Sequence, residues 1–575
     1  MKRALLILTL LTALIAGVGL FIIYRLPAPK AATLLPDTTF VFLESPNFPQ
    51  ARQAFSQTQL FALIHEPEVR AFLAPPLRVV RAQLGFPTAT NSLFASLLDS
   101  PQGEAFIALT NLGDGTNLLP GIVFGGDVKR KLLQTKAALA WHQHRLAKWN
   151  PEARCETKIH LGTRYQVWQL TPKLTVCHTF FRSLVVFTFN EELLRDIISR
   201  HTGKEPSDFP TLAGSEHYRD FLRQAPRQRH LVAFINTERA APLLQNLPPI
   251  LARLSHLDAL GDSLTFTGTN IEDVTVSYYN KALPPSPLVT QNSLALTTTS
   301  TSFYVVRSVD FNRLHQDFLN NLTAPSAIGL EKAYHAENVQ IGPQLLDYLG
   351  PETALLGLWR DGARLPDFAL AIENRQGSKL LAVLDRAFNA LKHQAFGSDE
   401  RFTWDEVVQD GVRVRILRGQ SSVLVPTYFV TDRFLVIASS PDYTRELLDR
   451  LQSNQPTLAA APDFQRARQA LPARATTFAY GDLRSLMPPL YASWRAHLPP
   501  RTINPATLPG IESLAPHLGP FSTSTYAEGA RETTTTVSAW GRAPTLSLLG
   551  ACVYVWAQPY LLQYVGTNTP PTRTN

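Results

Sequence analysis

Hydrophobic positions are distributed along the chain in three ways. Residues 4–24 (ALLILTLLTALIAGVGLFIIY) form an unbroken run of 21 uncharged, mostly apolar residues. A helix of that length, rising 1.5 Å per residue, crosses a hydrocarbon core of about 30 Å. Lys2 and Arg3 precede the run, so its orientation puts the N-terminus in the cytoplasm and the bulk of the chain outside. It is longer than the apolar region of about 7–15 residues expected of a cleaved signal, and its exit, Arg25-Leu26-Pro27-Ala28-Pro29-Lys30-Ala31-Ala32, is a poor cleavage site. The run therefore reads as an uncleaved signal anchor, with a cleaved signal as the alternative. A second run, residues 546–565 (LSLLGACVYVWAQPYLLQYV), holds 20 residues without charge. Its two glutamines, its proline and its Trp and Tyr residues favour an interfacial or domain-docked helix over a second span.

Between these runs, apolar residues come in short alternating stretches and amphipathic helical ones. Residues 39–43 and 301–306 are β-rich, and a helix over residues 48–55 opens behind Asn47, a capping residue. Hairpins are expected for residues 162–170 with 174–181 and for residues 411–417 with 423–430. Thr-rich strand pairs follow at residues 263–269 with 273–279 and at 521–526 with 533–540. Residues 250–260 read as helical.

The same pattern occurs twice. GEAFIAL at 103–109 answers to PETALLGL at 351–358, and PGIVF at 120–124 answers to PDFAL at 366–370. RSLVVF at 182–187, PTLA at 210–213 and HLVAFI at 230–235 answer to RFLVIA at 433–438, PTLA at 456–459 and ATTFAY at 475–480. The order is kept and the offsets stay between 245 and 251. A collinear repeat of that kind is the signature of duplication. The expected organisation is an anchor and linker over 1–32, homologous halves over 33–282 and 291–542, a proline-stiffened linker over 283–290 between them, and an apolar segment with polar tail over 543–575. The fold class is α+β: an N-terminal transmembrane helix followed by two halves, each a mainly antiparallel sheet with packed helices.

Composition narrows the role. Charged residues make up 17% and apolar residues 45% of 575, which suits globular domains and excludes a disordered tail protein. The net charge of +8 is carried mostly by arginines scattered over both halves, with no run or patch of the kind that reads nucleic acid, so no nucleic-acid partner is expected. Three cysteines exclude a disulfide scaffold; Cys155 and Cys177, flanking a predicted hairpin, are the candidate pair for a single bridge, and Cys552 is left over.

Several motifs suggest chemistry and then fail to complete it. Gly261-Asp262-Ser263-Leu264 spells the signature of GDSL-type esterases, but no DxxH block supplies a base, and the second half offers Leu518-Gly519-Pro520-Phe521 at the matching place, without a serine. A turn entering a strand is the plainer reading. Gly121-Ile122-Val123-Phe124-Gly125-Gly126-Asp127 lacks the spacing of a phosphate loop and reads as a turn at a strand end. His142 and His144 lie two apart on a helix and point to different sides; His65-Glu66-Pro67-Glu68 is not a zinc motif, because Pro67 breaks the helix it needs. No catalytic, metal or cofactor set emerges.

The stretch Leu35-Pro36-Asp37-Thr38-Thr39-Phe40-Val41-Phe42-Leu43 behind the anchor, then Leu60-Phe61-Ala62-Leu63-Ile64-His65-Glu66-Pro67-Glu68-Val69, and later Leu349-Gly350-Pro351-Glu352-Thr353-Ala354-Leu355 with Pro366-Asp367-Phe368, resembles a family of bacterial membrane-anchored envelope proteins built on a domain of unknown function. The resemblance covers most of residues 1–542. It implies a single-pass protein of the inner membrane with its bulk in the periplasm, and it carries over no mechanism. The expected role is non-enzymatic: binding an envelope protein or a lipid, or assisting envelope assembly. The alternatives are a scaffolding subunit that oligomerises through residues 546–565 and a hydrolase built around Ser263.

Overall fold

The computed structural model describes residues 28–83, 101–111, 121–149, 153–171, 174–203, 210–238, 256–321, 334–360, 365–396, 403–418, 425–453, 455–497 and 507–542, with a few isolated positions between them. The runs 4–24 and 546–565 lie outside these residues, as does most of the helix expected over 250–260. No helix among the described residues is long and apolar enough to cross a membrane.

The chain divides into two compact units. The first holds described residues up to Ala62, then Leu73 to Ala282, then Arg542; the second holds Leu63–Phe72 and Leu283–Gly541. These units are not the expected stretches 33–282 and 291–542 unaltered: ten residues from the earlier stretch are built into the second unit. The Pro-rich stretch is also no free linker. The Leu283 N–H donates to the Gly529 carbonyl and the Val289 N–H to the Ala475 carbonyl, so it lies along the second unit.

Among the described residues the first unit has strands β1 (Val41–Ser45), β2 (Ala105–Leu109), β3 (Ile122–Asp127), β4 (Arg154–His160), β5 (Thr163–Thr171), β6 (Leu174–Phe181), β7 (Leu184–Thr188), β8 (Leu231–Asn236), β9 (Leu257–Thr267) and β10 (Asn270–Tyr279). The second has β11 (Phe303–Ser308), β12 (Leu349–Leu358), β13 (Asp367–Asn374), β14 (Thr403–Gln409), β15 (Val412–Arg418), β16 (Thr427–Val430), β17 (Phe434–Ala438), β18 (Thr477–Asp482), β19 (Pro520–Glu528) and β20 (Arg531–Ser538). The first unit is an antiparallel sheet in the order β4-β5-β6-β7-β3-β2-β1-β8-β9-β10. The second repeats it strand for strand, β14-β15-β16-β17-β13-β12-β11-β18-β19-β20. Both α+β units therefore share one strand order.

Helices pack on both faces of each sheet because their apolar residues recur every three or four positions: Leu132 and Leu139 sit with Val185 and Phe187 on one face of the first sheet, and Leu380 and Leu384 with Leu435 on one face of the second. The helix Glu191–Thr202, capped by the Asn190 side chain, buries Leu194, Ile197 and Ile198; its counterpart Pro441–Gln452, capped by Ser440, buries Tyr443, Thr444, Leu447 and Leu448. Phe42, Phe234 and Phe221 meet them in the first core, and Tyr304, Phe478 and Phe464 fill the second.

Strand register fixes which residues are equivalent, and the two cores differ at matched places. Phe42 opposes Phe234, as Tyr304 opposes Tyr480; Phe234 in turn opposes Gly261, as Tyr480 opposes Ser522. A Cβ on Gly261 would lie 2.3 Å from the Phe221 ring, so this glycine is required by the phenylalanine above it. Its counterpart is a serine, in a unit where Ala467 takes the place of Phe221. The Phe221–Gly261 contact of the first unit is thus replaced in the second by a smaller pair, Ala467 and Ser522.

Candidate functional site

Register places Glu104 and Glu352 at equivalent positions, Glu104 just ahead of β2 and Glu352 as the fourth residue of the longer β12. Each turns its carboxylate onto the short 3-10 segment that leads the chain into the unit, Ala31–Thr33 in the first and Asn292–Leu296 in the second. The free N–H groups at the start of such a segment need an acceptor. In the first unit the Ala31 N–H donates to Glu104 Oε1 at 2.9 Å. In the second, Ser293 N–H and Asn292 N–H donate to Glu352 at 2.8 and 3.1 Å, the Ser293 hydroxyl donates at 2.7 Å, and the Thr290 hydroxyl donates as well.

The two caps are electrostatic opposites. Glu352 is 3% exposed, and although burial alone would raise its pKa, the bonds from Ser293, Thr290 and Asn292 hold it below the usual carboxylate value. Glu104 keeps one such bond because Ala31, which stands where the second unit has Ser293, has no hydroxyl. Burial, then the Glu44 carboxylate, push Glu104 up to about 7, against which Ala31 and Lys30 pull down and Asp127 adds to the rise. Burial also raises Glu44, opposed by Lys30, by a hydrogen bond from the Tyr218 hydroxyl at 3.3 Å and by Arg229. In the second unit the positions of Glu44 and Tyr218 are Val306 and Phe464. A polar pair, Tyr304 with Ser293 at 2.9 Å, appears where the first unit has Phe42 and Ala31. The acid cluster around Glu104 is thus particular to the first unit. It was invisible in the sequence because its members come from residues 30, 44, 104, 127 and 218, and only Glu104 sits in a segment that aligns.

A second buried acidic pair lies on the other face of the same sheet. The Thr275 hydroxyl lies 2.8 Å from Asp262 and 3.3 Å from Asp273, and burial, then the neighbouring Asp273, push Asp262 up. Arg542 closes the group: its N–H donates to Asp273 at 3.2 Å and its guanidinium to the Thr275 hydroxyl at 2.6 Å. Asp273 is fully buried. The counterparts of Asp262 and Thr275 are Thr523 and Thr536, joined hydroxyl to hydroxyl at 3.0 Å.

The sequence motifs resolve as follows. Ser263 does not sit in a turn: residues 257–267 are strand throughout, including 257–260, which had read as helix. The side chain is fully buried and its Oγ has no hydrogen-bond partner, so neither a base nor a path for substrate serves it. Its true counterpart is Ser524, also buried in mid-strand, and not the Gly519-Pro520 turn that sequence alignment suggested. Ser263→Ala is expected to leave the protein folded and as stable as before or slightly more so, by up to about 1 kcal/mol, since an unbonded buried hydroxyl is removed; a loss of several kcal/mol in denaturant titration would show that the hydroxyl is used. Gly121–Asp127 is likewise no strand-end turn, because residues 122–127 are all strand.

The proposed Cys155–Cys177 bridge is not formed, and both thiols are free. Cys155 in β4 opposes Trp168, and Cys177 in β6 opposes Val167. Successive residues of β5 face opposite ways, so the two thiols lie on opposite faces and two strand spacings apart, roughly 10 Å. A disulfide needs Cα atoms within about 7 Å. Burial pushes the Cys177 thiol up to about 12.

His142 and His144 lie on the helix Leu132–Trp149, and no group of three His, Cys, Asp or Glu side chains among the described residues could hold a metal ion. His65 ends one helix and Pro67 begins the next. Glu66 and Glu68 serve the second unit: Glu66 bonds His517 Nε2 at 2.9 Å, and Glu68 accepts from the Gly510 N–H and the Ser513 hydroxyl. A groove of about 340 Å³ in the second unit is walled by the Pro-rich stretch, Tyr526 and Arg474, whose guanidinium packs 4.6 Å over the Tyr526 ring and bonds its hydroxyl.

No family model matches this chain, and no curated protein matches it. Among solved structures it is similar to crystal form I of TP0453, with 10% identity and a TM-score of 0.24 over 45% of this chain and 82% of that one. A likeness that slight carries no argument about fold or role.

Proposed function

We propose that this chain is a non-enzymatic binding or assembly protein of the bacterial envelope, held at the inner membrane by residues 4–24 with both units outside the cytoplasm. One observation carries the membrane-held part of the reading. Ala28 already packs on the first core, and Ala31, Ala32, Leu34 and Leu35 are buried in it. Only residues 25–27 separate the apolar run from the folded body, a reach of about 10 Å. A spanning run would therefore hold the first unit directly against the bilayer. The non-enzymatic part is supported by how the buried polar groups are used: Glu104 and Glu352 cap backbone, Asp273 holds Arg542, and Ser263 is enclosed.

The test is fractionation of cells expressing the native chain. The protein is expected to resist carbonate extraction from the inner membrane, and both units are expected to be cut by protease added from the periplasmic side. Recovery in the soluble fraction, or protection of the body from that protease, would overturn the reading.

A further inference from the structure

The two apolar runs join the first unit at one end of its sheet. Antiparallel pairing sets Ala105 beside Gly126 and Ser45 beside Ala105, and Leu231 beside Leu264, with Leu264 beside Asp273. The Ser45 hydroxyl bonds the carbonyl of His230, next to Leu231, so these residues form one row across β3, β2, β1, β8, β9 and β10. Ala31, bonded to Glu104, lies at that row. So does Arg542, tied to Asp273. The chain therefore enters and leaves this unit at the same end of the strands. Each folded residue is separated from its apolar run by a short link, residues 25–27 on one side and 543–545 on the other.

That end is also basic, contrary to the even scatter of cations expected from sequence. Lys30, Lys129, Arg130 and Arg227 are exposed there, with Lys131 and Arg229 half-buried beside them. The carboxylates of the same end are drawn inward: Asp127 is buried and partners Lys129 at 3.3 Å, Glu44 and Glu104 occupy the acid cluster, and Glu272 is half-buried. The second unit shares the pattern only in part. Register and direct count put Asn292, Gln376, Gly377, Ala473 and Ala475 where the first unit has Lys30, Arg130, Lys131, Arg227 and Arg229; Arg375 answers to Lys129, and Arg474 stands at the place of Gln228, so the second unit keeps two cations where the first has six. Of two ends alike in strand order, the one next to the two apolar runs is thus the richer in positive charge.

We propose that this end of the first unit is a docking face for an anionic bilayer, and that residues 546–565 enter the same bilayer as residues 4–24, pinning the unit from both sides. The inference rests on residues 4–24 being a retained anchor. If they are, the short link from Arg542 delivers residue 546 to the membrane surface, where an uncharged run of 20 residues partitions into hydrocarbon and exposed cations gain from anionic headgroups. The buried Asp273–Arg542 pair fixes the point of departure.

Three variants separate this inference from the reading beneath it. The full chain with residues 1–27 exchanged for a cleaved secretion leader is expected to remain carbonate-resistant in the membrane; its release overturns the second anchor. The native chain ended at Arg542 tests only the first anchor, and its release would instead overturn the retained-anchor reading. The leader-exchanged chain ended at Arg542 is expected to be released. For the face itself, amide exchange is measured on the full chain in nanodiscs. Residues 128–132 and 226–230 are expected to exchange several-fold more slowly in phosphatidylglycerol than in phosphatidylcholine, with residues 276–279 at the other end of the strands unchanged. The double substitution R130E/R227E, at two exposed positions, is expected to abolish the difference. Equal exchange in both lipids, or a difference that survives R130E/R227E, overturns the docking face.

Discussion

Glu352→Ala is expected to destabilise the second unit by about 3–5 kcal/mol, while Glu104→Ala costs the first unit about 1 kcal/mol or less. A bond to an ionised carboxylate contributes about 1.5–3 kcal/mol, and removing the acceptor leaves its donors buried without partners. Glu352 holds four donors, two backbone and two hydroxyl, in a site that is 3% exposed. The bonds share one carboxylate, so their losses do not add in full. Glu104 holds one donor among the described residues and sits against Glu44, so its removal exchanges one lost bond for relief of like-charge repulsion. Hydrogen exchange read separately on residues 349–374 and 101–127, with increasing denaturant, measures each unit in the intact chain. Equal losses at the two positions would refute the asymmetry.

The same pair sets opposite responses to pH. Glu104 has a folded value of about 7, above its ordinary 4.5. A carboxyl raised on folding contributes stability that is fully present below about 4.5 and is lost as pH climbs through 7, on the order of 2–3 kcal/mol for a shift of this size. Glu352 is lowered, so its contribution is present above 4.5 and is lost as pH falls through its folded value. Other groups in the first unit act against Glu104: burial pushes His178 down to about 4, which favours the folded state at higher pH. The measurable quantity is therefore a difference. Glu104→Gln should gain stability relative to the native chain between pH 4.5 and 7 and run parallel to it on either side. Glu352→Gln should fall furthest below the native chain above 4.5 and converge with it in acid. Parallel curves across the whole range would show that neither carboxyl titrates as its surroundings require.

The likeness of the two strand orders was partly legible because strands and turns leave local marks. HLVAFI and ATTFAY alternate in the same way, and each pair of halves kept its order. What the sequence could not show was how the offset drifts. In the middle of each unit Glu104 answers to Glu352 and Phe234 to Tyr480, but at the ends Phe42 answers to Tyr304 and Ser263 to Ser524, a larger shift. Segments of unequal length lie between, so a constant shift set the Gly261-Asp262-Ser263 motif against the wrong residues and left Ala31 unmatched with Ser293. Strand order was equally hidden, since β3 reaches β7 across three intervening strands and no local pattern encodes that crossing. The cysteine bridge failed for a related reason. Proximity in sequence around a hairpin says nothing about which face a side chain takes once a third strand intervenes.

Residues 63–72 give the exchange between units a consequence in time. Glu66 and His517 are 451 positions apart, yet they close the same part of the second unit. At about 5–20 residues per second of synthesis, the early half of that contact waits roughly half a minute or more for the late half to be made. During this interval the strands of the first unit are completed, at Tyr279, while the ten residues still lack the late segment they pair with. The second unit is thus finished by residues made early in the chain, so its completion waits until residue 517 has been translated. A chain cut short in its second half would display that stretch uncovered, a natural flag for the proteases that clear unfinished proteins.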